Sequence, residues 1–68
     1  MTKTSDYTVT GMTCAHCVAS VTEEVEEILG VAGVQVDLAS GRLSVTAEES
    51  VTEDQVRAAV TEAGYQIA

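Results

Sequence analysis

The sequence predicts an α+β sandwich, a four-stranded antiparallel sheet with two helices on one face. Three observations predict it. Apolar residues recur at period two in short stretches, longer stretches between them change to helical spacing, and the changes of period fall at glycines or turn-forming residues.

Residues 6 to 11 open the pattern, with Tyr7 and Val9 on one side and Asp6, Thr8 and Thr10 on the other, as in a half-buried strand ended by Gly11. From Val18 the spacing turns helical. Val18, Val21, Val25, Ile28 and Leu29 form an apolar stripe opposite Ser20, Glu23, Glu24, Glu26 and Glu27, and Gly30 suits the left-handed conformation that closes a helix. Val34, Val36 and Leu38 alternate again, Ala39-Ser40-Gly41-Arg42 supplies a turn, and Leu43, Val45 and Ala47 run back, which makes a hairpin. Thr52 with Gln55 three residues later is a capping-box signature. Glu53 and Asp54 suit the positive end of a helix dipole, and Val56, Ala59, Val60 and Ala63 give this second helix its apolar side. After Gly64, Tyr65-Gln66-Ile67 makes a last short strand.

The order strand, helix, strand, strand, helix, strand is two overlapping strand–helix–strand units, the ferredoxin-like βαββαβ sandwich. Right-handed crossovers place both helices on one face, so the core lies between them and the strands. Thr8, Thr10, Gln35, Asp37, Ser44 and Thr46 are then left on a wet face. Residues 1-68 read as one domain. A chain of this size buries only about 60% of its unfolded surface, so a surface site is expected in place of a deep cavity.

Charge narrows the function classes. Eleven acidic residues against Lys3, Arg42 and Arg57 give a net charge of -8. That sign opposes contact with phosphates, so neither nucleic acid nor an anionic membrane surface is an expected partner. The polar start Met1-Thr2-Lys3-Thr4-Ser5-Asp6 has no apolar run behind it, so no secretion signal or membrane insertion is expected and the cytoplasm is the predicted location. Thiols stay reduced there, which makes two neighbouring cysteines a metal or redox site before a structural disulfide. The start at Met1 and the end just past the last strand predict a free-standing protein.

The chemistry concentrates in Gly11-Met12-Thr13-Cys14-Ala15-His16-Cys17, between the first strand and the first helix. Two cysteines at this spacing, one in the loop and one in the first helical turn, can hold one ion between their sulfurs. Helix-terminal amides and the dipole favour negative charge there, so lowered thiol pKa values are expected. Structural zinc asks for four ligands, whereas the loop offers two thiolates, one histidine and no carboxylate. Soft thiolates select Cu(I), and an incomplete shell admits a partner's cysteines, so the metal can pass by ligand exchange. Met12 reads as a packing residue before a ligand, and His16, on the opposite side of a tight loop, as a solvent-facing residue that tunes the thiols. The glutamates of the first helix form an acidic face expected to steer docking onto a basic partner.

Gly11-Met12-Thr13-Cys14-Ala15-His16-Cys17, the segment Gly33-Val34-Gln35-Val36-Asp37-Leu38 and the closing Ala63-Gly64-Tyr65 resemble the heavy-metal-associated domain, in its bacterial copper-chaperone branch, over nearly the whole chain. The resemblance implies that Cys14 and Cys17 bind Cu(I), that the recipient is a copper-transporting P-type ATPase, and that two copies can share copper as a metal-bridged homodimer. It implies further that Met12 packs beneath the loop and that Tyr65 lies close to it. Tyr65 would otherwise read as an end-strand core residue. Zinc-tuned members tend to carry Asp where this chain has Thr13, which again implies copper.

Two other readings compete. The chain could be an excised metal-binding domain of such an ATPase, or a zinc or mercury carrier, with the same fold. A dithiol oxidoreductase also uses two cysteines at this spacing ahead of a helix. Those enzymes place a proline beside the redox pair, and this chain contains no proline. The expectation is a carrier without enzymatic activity.

Overall fold

The computed structural model describes residues 1–68. The elements are β1 (Thr2–Thr10), α1 (Ala15–Glu26), β2 (Val31–Asp37), β3 (Arg42–Glu48), α2 (Glu53–Glu62) and β4 (Gln66–Ile67). They build one sheet in the order β2-β3-β1-β4, antiparallel throughout, so the ferredoxin-like sandwich is borne out.

The helices and sheet meet in one core. Val9, Leu43, Val45 and Ala47 come from the sheet, Val21 and Val25 from α1, and Val56, Ala59 and Val60 from α2. These are the inward residues of the two periodicities, and removing them from water supplies the main driving force, about 1.5–3 kcal/mol for a large aliphatic side chain. On the opposite face Thr8, Thr10, Gln35 and Asp37 are exposed, while Ser44 and Thr46 are half-buried. Ser44 donates to the Asp6 carboxylate at 2.7 Å, and the hydroxyls of Thr4 and Thr46 meet at 2.8 Å. The capping box of α2 is complete: Gln55 N donates to Thr52 Oγ1 at 3.2 Å, and Thr52 N donates to Gln55 Oε1 at 2.8 Å. No helix is long and apolar enough to cross a membrane.

Several boundaries differ from those the periodicity indicates. β1 begins at Thr2, because Thr2 to Ser5 pair with Glu48 to Val45 of β3 although they show no apolar alternation. α1 begins at Ala15, ahead of its apolar stripe, and ends at Glu26. Leu29 therefore leaves the stripe: it lies in the turn beyond the helix and is 92% exposed. β2 starts at Val31 and absorbs a register shift between Val31 and Gly33 that simple alternation does not anticipate. Leu38 falls outside β2. The Asp37 carboxylate takes the Ala39 amide at 3.1 Å and the Ser40 hydroxyl at 3.0 Å, which turns the chain before Leu38 can continue the strand. Tyr65 precedes β4 and does not belong to it.

The two leucines should therefore behave differently. Leu43→Ala, at a fully buried position, is expected to lower unfolding free energy by about 2–5 kcal/mol. Leu29→Ala should stay within about 0.5 kcal/mol of the parent. Urea denaturation of the reduced chain measures both, and equal losses would contradict the placement of Leu29.

Candidate metal site

The loop between β1 and α1 is shaped by backbone conformation before any side chain acts. Gly11 sits at φ +93, in the left-handed region, and a Cβ there would lie 3.4 Å from Tyr65 Cδ1. A glycine thus lets the chain turn beside the tyrosine ring without strain. Cys14 follows in extended conformation, φ -157 and ψ 174, as the N-cap of α1. Its carbonyl accepts from Cys17 N at 3.0 Å and from Val18 N at 3.4 Å, which closes the first turn and folds Cys17 back over Cys14.

The two sulfurs lie 3.7 Å apart, and both cysteines are free. At the metal–sulfur length of a zinc thiolate, about 2.3 Å, this separation subtends an angle of roughly 107° at a shared ion. A soft ion would be gripped from one side with the other side open. A linear arrangement would ask for sulfurs about 4.6 Å apart at the same bond length. Cys14 is exposed and can move outward, whereas Cys17 is buried, at 8% exposure. No group of three or more His, Cys, Asp and Glu side chains converges anywhere in the chain, so no tetrahedral shell can close within one copy.

The Cys17 thiol is lowered from 9.0 to about 6. The main cause is the Thr13 amide, which donates to its sulfur at 3.5 Å. The Tyr65 hydroxyl and the Cys14 backbone amide add to it, and partial burial opposes it. The same contact raises Tyr65 above the usual phenol value, since its proton holds the Cys17 thiolate and losing it would set two anions side by side. At neutral pH Cys17 is therefore mostly thiolate, the form that binds metal. The first turn of α1 carries no acidic residue and no side-chain cap, in contrast with the capped α2 and its Glu53 and Asp54. The positive end of α1 thus has no carboxylate competing with the sulfurs.

The remaining loop residues divide by position. Met12 is half-buried and packs against the core, and Tyr65 is half-buried and packs there too while its hydroxyl reaches Cys17. The Thr13 hydroxyl lies 3.9 Å from the Cys17 sulfur, a weaker contact than its amide makes. His16 is exposed on the first turn of α1. The contribution that residue-by-residue reading missed is the Thr13 amide, because a backbone donor leaves no mark in residue type. The tyrosine after Gly64 was visible only through family resemblance.

A βαββαβ sandwich with two free thiols at the rim, between β1 and α1, is a small domain whose surface offers a pair of soft ligands. The chain belongs to the heavy-metal-associated domain family, which matches residues 6–66. It is 39% identical over 62 residues to the copper chaperone CopZ of Enterococcus hirae, covering 90% of this chain and 90% of that protein. It is 38% identical over 64 residues to the probable copper-importing P-type ATPase A of the same organism, covering 94% of this chain but only 9% of that ATPase. A solved CopZ metallochaperone superposes with a TM-score of 0.93 at 31% identity, over 97% of this chain and all of the other.

The lowered Cys17 pKa sets a pH dependence. A thiol whose folded pKa lies below its unfolded value stabilises the fold fully above the unfolded value, and that contribution is lost as pH falls through the folded one. The urea midpoint of the reduced, metal-free chain should therefore gain a Cys17-dependent increment between pH 6 and 9.0, absent in Cys17→Ser. Tyr65→Phe should move the thiolate absorbance titration of Cys17 to higher pH. An unchanged titration would remove Tyr65 from the site.

Proposed function

We propose that this protein is a copper chaperone that binds Cu(I) through Cys14 and Cys17 and passes it by ligand exchange to a copper-transporting P-type ATPase. The observation that carries the reading is a pair of sulfurs 3.7 Å apart at the surface, one exposed and one anchored, with no third side-chain ligand beside them. Such a site holds a soft ion and stays open to a competitor. Kinship to a CopZ chaperone over 90% of its length and to one short part of a copper ATPase supports a carrier whose partner carries a domain like itself.

Transfer follows from the asymmetry of the pair. A partner thiolate enters on the open side and makes a three-sulfur shell. Cys14, free of packing, leaves first and takes a proton from water, while Cys17 holds the ion. A second partner thiolate then displaces Cys17, whose charge passes back to the Thr13 amide and the Tyr65 hydroxyl. The metal changes ligands and not oxidation state, so no reductant is consumed and no enzymatic turnover is involved. Met12 supports the loop from below, and His16 and Thr13 tune the thiols. In a metal-bridged homodimer two copies would each supply two thiolates and close a four-sulfur shell. The reading places the chain in the cytoplasm as a single domain of residues 1-68, where reduced thiols remain available.

An anaerobic competition titration under reducing conditions tests the metal. The native chain should take one Cu(I) in preference to Zn(II), and Cys14→Ser with Cys17→Ser should lose at least about 10³-fold in affinity, a difference of roughly 4 kcal/mol. Preference for Zn(II), or retention of Cu(I) by the double variant, would overturn the assignment. Mixing the loaded chain with the isolated heavy-metal-associated domain of a copper ATPase should move copper to that domain within the mixing time. A chain that keeps its copper against an excess of acceptor is not a chaperone.

A further inference from the structure

The two helices leave an open groove between them, about 410 Å³ in volume, whose lining includes Glu24, Glu27, Ile28, Leu29, Ala58 and Glu62. It lies at the C-terminal end of α1. The cysteines sit at the other end of that 12-residue helix, about 18 Å away at 1.5 Å per residue. The groove is thus separate from the surface that handles metal.

Three features of the groove ask for an occupant. Leu29, a large apolar side chain, stands 92% exposed at its edge beside half-buried Ile28 and the methyl group of Ala58. Glu24, Glu27 and Glu62 line it without a cation, since the ion pairs of the chain are Met1 with Glu48 and Arg57 with Glu53, both elsewhere. Finally, neither helix carries a basic residue in its last turn, so Glu27 caps the negative end of α1 where a cation belongs. A ligand with apolar and cationic groups would satisfy all three.

We propose that this groove docks a basic amphipathic helix of a partner protein, its apolar side on Ile28, Leu29 and Ala58 and its lysines or arginines on Glu24, Glu27, Glu62 and the terminal carbonyls of α1. Charge selects this occupant. A second copy brings its own -8, and an anionic lipid surface has the wrong sign, whereas a cationic segment is attracted by both the groove and the whole chain. Because the site is remote from Cys14 and Cys17, it can hold a partner before, during and after the metal moves. It does not depend on which metal the thiols bind.

The test uses the full metal-free chain and a synthetic Leu/Lys amphipathic helix, with binding followed by fluorescence anisotropy and mapped by amide chemical shifts. Saturable binding with shifts centred on residues 27–29 and 58–62 is expected. A peptide of the same composition, scrambled to lose its apolar side, should bind about tenfold more weakly, as should Glu24→Lys with Glu27→Lys and, separately, Leu29→Ser. The lysine variant should unfold at no lower temperature than the parent, because it improves the end of α1, so lost binding will not reflect lost folding. Cys14→Ser with Cys17→Ser should leave peptide affinity unchanged, which separates this site from the metal assignment. Equal affinity for the scrambled peptide, shifts centred on residues 11–17, or an unaffected Leu29→Ser would overturn the proposal. So would concentration-dependent dimerisation in sedimentation that Leu29→Ser abolishes, which would assign the groove to a second copy.

Discussion

Two sulfurs are brought to within 3.7 Å of each other, and the loop between β1 and α1 is organised around that close approach. The burden is divided unequally. Cys17 is buried and receives the Thr13 amide and the Tyr65 hydroxyl, while Cys14 faces solvent. Closing the first turn of α1 on the Cys14 carbonyl fixes the spacing, so the geometry of the sulfur pair is a by-product of starting a helix.

That start holds only because the rest of α1 is immobilised. Val21 and Val25, both at 0% exposure, fix the helix on the sheet, and Val9, next to the last residue of β1, lies in the same core just before the loop begins. Met12 and Tyr65 pack on that core from the loop side. The positions of the sulfurs are therefore set by apolar burial on both flanks, and the charge of Cys17 is set by a few polar contacts at the surface. A substitution in the core and one in the loop would disturb the site through different physics, the first through geometry and the second through electrostatics.

The helix termini show a division of labour. α2 satisfies its first amides with a complete capping box and places Glu53 and Asp54 where the dipole welcomes them, which is the arrangement of a helix that only supports the fold. α1 does neither at its start, where the cysteines stand, and at its end it accumulates glutamates against the dipole. Both departures from the stabilising arrangement fall where, in the present proposals, the chain meets other molecules, a metal at one end and a partner at the other.

The sequence by itself determined the order of elements, the residues of the core and the two sulfurs, because burial imposes periods of two and 3.6 and because paired thiols have few other uses. Val9, Val21, Val25, Leu43, Val45 and Val60 are all legible in this way. Only the tertiary structure decided where pattern and burial part company. Leu29 continues a helical stripe in sequence yet lies beyond the helix in solvent, and Leu38 continues a strand that the Asp37 carboxylate has already turned. Thr2 to Ser5 join the sheet without any apolar signal, since backbone pairing with β3 is indifferent to side-chain type. The lowered Cys17 pKa likewise rests on an amide and on a tyrosine from the far end of the chain, 48 residues away by number and brought alongside only by folding. Periodicity reports which residues leave water; it carries no record of which dipoles end up facing a sulfur.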